Sequence, residues 1–122
     1  MKYLCLVYYD EQKMQQLSQP EWDSLNRECM ECVADLTSRG HFLDGAPLLS
    51  TETATTLRMR DNKPLITDGP FAETKEQLAG FYMLEARDMN EAMRLAEKIP
   101  PARYGCVEIR PIRELLEQNN SR

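Results

Sequence analysis

Charged and turn-forming residues crowd one short stretch, Asp68-Gly69-Pro70-Phe71-Ala72-Glu73-Thr74-Lys75-Glu76. Its carboxylates, Asp68, Glu73 and Glu76, have the chemistry to exchange a proton or hold a hard cation, and Lys75 among them suits an anion. Gly69 permits a close backbone approach or a positive φ, and Pro70 sets the direction of the chain that follows. The same residues also have a plainer reading. Asp68 caps a turn, Phe71 plugs the core, and Glu73, Lys75 and Glu76 form surface or interface ion pairs.

Three further groupings carry reactive side chains. Cys29 and Cys32 form a C-x-x-C, which is redox-active at a helix N-terminus. Here both fall in mid-helix on an apolar stripe, and the expectation is core or half-buried thiols. His41 stands three residues before Asp44 as a base and its orienter, although that spacing puts the two on opposite sides of a strand; a plain helix-end histidine fits as well. Arg58 and Arg60 share one strand face, and Arg103, Arg110 and Arg113 lie near the last strand. If they meet, they would clamp a carboxylate or phosphate; otherwise Arg58 and Arg60 belong to a solvated hairpin face. No Gly-rich phosphate loop, G-x-S-x-G or H-E-x-x-H occurs. Neither a metal nor a redox cofactor is expected.

The elements that must position these groups follow from periodicity. Lys2–Tyr9 is a strand whose two faces, Tyr3/Cys5/Val7/Tyr9 and Leu4/Leu6/Tyr8, are both apolar, the mark of a strand covered on both sides. Ser18-Gln19-Pro20-Glu21 opens a helix that runs to about Ser38 and stops at Arg39-Gly40. Trp22, Leu25, Cys29, Cys32, Val33 and Leu36 line one side of it, and Asp23, Arg27, Glu28, Glu31 and Asp35 the other. His41–Leu49 holds a short strand, Thr53–Arg60 and Leu65–Thr67 make a hairpin around Asp61-Asn62-Lys63, and Phe71–Gln77 suggests one helical turn. Phe81–Glu85 is another strand with two apolar faces. Asp88 opens a second helix, which Pro100-Pro101 ends, and Cys106–Arg110 is the last strand. Met59, Met83, Met89 and Met93 are expected as core filler. The order predicts an α+β fold, a ferredoxin-like split βαβ sheet with an inserted hairpin, over residues 1–112, with a polar tail at 113–122 that is briefly helical. Two helices cover one sheet face, so a second copy is the expected cover for the other.

Length and charge narrow the function classes. The 122 residues suit one domain, and the net charge of -5 disfavours direct binding to nucleic acid. The longest apolar run, Leu4–Tyr9, is far short of a membrane span, and no export signal precedes it, so the expected place is the cytoplasm, with the four cysteines as thiols.

The run Thr67–Tyr82, with its intact nine-residue core Asp68–Glu76, resembles the signature of the DGPFAETKE family, a branch of the YCII-related proteins. Met1-Lys2-Tyr3-Leu4, Thr53–Arg58, Ile99–Arg103 and Val107–Pro111 are similar to the same pattern. The resemblance implies a dimeric α+β barrel, in which two such sheets pack face to face. It also implies a homodimer and gene neighbourhoods that suggest association with extracytoplasmic-function sigma factors. The His–Asp pair proposed as catalytic in the broader branch has no motif match at His41, and Tyr104 stands where many members carry histidine. Together these readings predict a small-metabolite-binding protein or enzyme with acid/base chemistry in a cleft beside the loop, or else a non-catalytic interaction module. Asp68 is the candidate catalytic group. Gly69, Phe71, Glu73, Lys75, Glu76, Arg58, Tyr82 and Tyr104 are the candidate ligand-binding residues.

Overall fold

The structure, a computed structural model, describes residues 1–116. Strand β1 (Lys2–Tyr9) is followed by a short helix α1 (Glu11–Met14) and a long helix α2 (Gln19–Ser38). Strand β2 (Phe42–Pro47) leads to a hairpin of β3 (Thr55–Arg60) and β4 (Lys63–Asp68), then β5 (Gln77–Glu85), helix α3 (Met89–Ala96) and β6 (Gly105–Pro111). Four strands form an antiparallel sheet in the order β2-β5-β1-β6, and β3-β4 stands as a separate two-stranded ribbon. The chain therefore has the ferredoxin-like α+β fold with an inserted hairpin, and within one copy the sheet is open.

Local chemistry explains the boundaries. Ser18 accepts from the Glu21 backbone N–H while the Glu21 carboxylate accepts from the Ser18 N–H, a closed capping box with Pro20 in the first turn. Asp88 caps α3 by accepting from the Glu91 N–H at 2.9 Å. Gly40 has φ +79, the left-handed conformation that ends α2. At the β3–β4 turn, Asp61 and Asn62 both take positive φ, which suits a tight hairpin.

The core lies on one side of the sheet. Tyr3, Cys5 and Val7 of β1 pair across with Leu84, Tyr82 and Gly80 of β5, and Leu36, Ala92, Leu95, Ala96 and Ile99 close over them. On the opposite side Leu4, Leu6 and Tyr8 pair with Met83, Phe81 and Leu78, all partly exposed, and β6 adds Cys106, Glu108 and Arg110. The apolar character of both faces of β1 and β5 is thus real, and no helix of the described residues covers the second face.

Four local expectations need correction. Phe71–Gln77 is an irregular loop that passes into β5 at Gln77, because Gln77 ties the chain down instead of continuing a helix. Phe71 is no core plug; it is 76% exposed at the base of the hairpin. Met59 and Met93 are exposed, since the hairpin packs on no layer and Met93 lies on the outer flank of α3. Residues 112–116 form no helix, and the rest of the tail lies outside the described residues.

Candidate functional site

A cavity lies where α2 stands off from the edge of the sheet. Its volume is about 600 Å³, a size suited to small molecules. The row Trp22, Asn26, Met30 and Ala34, each four residues on from the last, forms the outer lip, and Leu25, Cys29 and Val33 form the roof. Below them the sheet is nearly bare, because Gly45-Ala46 of β2 and Ala79-Gly80 of β5 carry little or no side chain. Those glycines have a packing reason. A Cβ on Gly45 would meet the Phe81 carbonyl oxygen at 2.8 Å, and one on Gly80 would meet the Ala46 carbonyl oxygen at 2.9 Å. They let β2 lie tightly on β5, and the groove above is what remains.

Among the described residues, no charged side chain lines this groove. The side chains on its wall that carry a polar atom are Tyr9, Trp22, Asn26, Cys29 and Tyr82. Burial pushes the Cys29 thiol up, an effect partly offset by the nearby Tyr82 hydroxyl. Burial, with Cys29 and Cys32 adding to it, pushes Tyr82 far above the ordinary tyrosine range. Both groups are therefore protonated at neutral pH, and the groove is neutral as well as apolar. Phe42 meets the Tyr82 ring edge-on, with centroids 6.1 Å apart, which fixes the phenol's orientation.

The charged loop lies elsewhere. Asp68 ends β4 opposite Thr55 and is exposed, as are Glu73, Lys75 and Arg58; none of these lines the groove. Gly69 has φ +108, its N–H donates to the Ala54 carbonyl at 2.8 Å, and its own carbonyl accepts from the Thr56 hydroxyl at 2.8 Å. The Arg58 guanidinium sits 5.7 Å from the Phe71 ring centroid. Gln77 moors the end of the loop, accepting from the Glu11 N–H at 2.8 Å and donating to the Thr74 carbonyl at 2.6 Å. Glu11 in turn accepts from the Thr51 N–H and hydroxyl at 2.9 and 2.6 Å. Glu76 Oε1 lies 3.7 Å from the Cys106 Sγ, on the open sheet face.

Of the nine candidate site residues, Tyr82 alone lines the groove. Tyr104 stands at the sheet end, its ring under the Arg103 guanidinium at 5.3 Å. The arginines do not form one patch, since Arg103 makes a two-point contact with Glu28 at 2.8 and 2.9 Å and Arg110 turns to Glu108 at 3.9 Å. His41 and Asp44 do not pair: His41 Nδ1 contacts the Glu85 carbonyl at 2.8 Å, and Asp44 accepts from the Gly45 N–H at 2.8 Å. Among the described residues no cluster of metal-ligating side chains occurs.

A YCII-related domain model matches residues 1–116. The chain belongs to the YCII-related family. It is 34% identical over 114 residues, 92% of each chain, to an uncharacterized protein of Rhizobium meliloti (strain 1021). Sequence reasoning alone did not reach the groove of this YCII-related protein. Its signals were present, in the four-residue row from Trp22 to Ala34 and the small pairs Gly45-Ala46 and Ala79-Gly80, but each also fits ordinary helix and strand packing. Among the described residues, no helix is long and apolar enough to cross a membrane.

Proposed function

We propose that this YCII-related protein binds an uncharged, mainly apolar small molecule in the groove between α2 and the β2–β5 edge, and that it does so as a homodimer joined through the open sheet face. The observation that carries the binding reading is a cavity of about 600 Å³ with no charged group on its wall among the described residues. A charged ligand would lose hydration there and gain no partner, whereas an apolar one gains about 25 cal/mol per Å² removed from water. The neutral Tyr82 hydroxyl supplies a hydrogen-bond donor for a carbonyl or ether oxygen. This places the ligand away from the Asp68–Glu76 loop. An acid/base reaction at Asp68 would need a substrate held at an exposed strand end.

The dimer draws support from Leu4, Leu6, Phe81 and Met83, an apolar surface on the two central strands that the helices leave uncovered. Association with a sigma factor rests on the resemblance alone.

Matched thermal-shift titrations with naphthalene and naphthoate test the reading. Naphthalene raises the midpoint in a saturable way and the carboxylate does not, because only the native state offers the groove. Equal shifts from both, or none from naphthalene, would count against a neutral apolar site.

A further inference from the structure

The β3–β4 hairpin is built like a surface waiting for a cover. Register places Leu57 opposite Ile66 and Met59 opposite Pro64, so these four share one face; Arg58, Arg60, Lys63 and Leu65 share the other. Leu57, Met59 and Ile66 are 57%, 61% and 65% exposed. The Gly69–Ala54 and Thr56–Gly69 hydrogen bonds close the ribbon at its base, and the Glu11–Thr51 contacts moor the chain just before it. A two-stranded ribbon with both faces in water is marginal by itself and normally needs a further strand or another element packed on it.

We propose that this hairpin is an exchanged arm, whose Leu57–Met59–Ile66 face lies on a second copy of this chain. The inference rests on the homodimer reading above and adds the arm to it. Area is the first argument. A four-stranded sheet, with strands ~4.8 Å apart and rising ~3.3 Å per residue, offers about 440 Å² on one face, roughly half of the ~800 Å² per partner of a stable interface. One face of a six-residue hairpin offers about 200 Å² by the same measure. Each subunit both gives an arm and receives one, so exchange brings the total to about 800 Å² per partner. Reach is the second: six residues per strand extend about 20 Å, against ~10 Å between stacked sheets. Charge is the third. Arg58, Arg60 and Lys63 against Asp61 and Asp68 make the hairpin net +1 and leave -6 on the rest of the chain, so a basic arm lies across an acidic body.

Sedimentation of the full chain and of a Leu57→Lys, Ile66→Lys double variant tests the arm, with Leu65→Lys on the opposite face as control. Circular dichroism confirms that each variant folds. The arm predicts a dimer for the parent chain and the control, and a dimer constant weakened by about 100-fold or more in the double variant, because two charges enter an apolar contact. Amide exchange of the unmodified chain gives a second measure, with protection of 55–68 rising with protein concentration. A double variant that dimerises like the parent, with exchange at 55–68 independent of concentration, overturns the arm and leaves the sheet-face dimer standing. A parent chain that stays monomeric at high concentration overturns the dimer and the arm together. Binding of phosphatidylserine vesicles through Leu57 and Ile66, with dimerisation unaffected, overturns the arm in favour of a lipid surface. In none of these outcomes does the neutral-ligand groove depend on the result.

Discussion

Ala34→Leu narrows the groove from its lip. Ala34 is the last residue of the 22–26–30–34 row and faces the gap over Gly45 and Gly80, so a leucine there enters space the protein leaves empty. The change adds three carbons at about 0.8 kcal/mol per fully buried group, a ceiling near 2.4 kcal/mol. The groove is open on one side, and about half of that is realised; the helix propensity of leucine subtracts a further ~0.2 kcal/mol. The variant is therefore expected to be about 1 kcal/mol more stable by urea denaturation while binding naphthalene roughly 5- to 30-fold more weakly. Opposite signs are the point, since a general perturbation of α2 would lower stability and binding together. Unchanged naphthalene affinity in a stabilised variant would refute the placement of the ligand.

Other outcomes follow from the packing and electrostatics. Leu84→Ala, at a fully buried position of the central strand, loses about 2–5 kcal/mol in chemical denaturation. The Arg103 guanidinium holds the Glu28 carboxyl below the usual glutamate range. A depressed acid stabilises above its unfolded pKa and loses that contribution as pH falls through its folded value, so the stability gap between the parent chain and Arg103→Ala is present at neutral pH and closes in acid. Burial pushes the Cys5 thiol up to about 11, so Cys5 resists a thiol reagent until the protein unfolds.

Periodicity made most of the architecture legible. The capping residues Ser18, Glu21 and Asp88, the stripe from Trp22 to Leu36, and the doubly apolar strands at β1 and β5 each specify an element through local physics, and the structure places them as read. The short helix Glu11–Met14 was not legible, because four residues have too little pattern to show. The loop after Asp68 misled for a related reason. Phe71 is the sort of residue that plugs cores, yet its position is set by the hairpin base and by Arg58, contacts distant enough in the chain to leave no local trace. The site was hidden more deeply. A groove is made by side chains that are missing, and glycine or alanine at 45, 46, 79 and 80 is equally at home in a close strand pair. Only the three-dimensional overlap of those small residues with the Trp22–Ala34 row turns them into a cavity.

Trp22 is the chain's single tryptophan and lines the groove. Energy transfer from it to Nile red, a neutral apolar dye, reads occupancy at that spot without a substitution. The account predicts saturable loss of Trp22 emission at one dye per chain, reversed by naphthalene and not by naphthoate. Dye binding that leaves Trp22 emission unchanged, or that naphthoate reverses as well as naphthalene does, would contradict it.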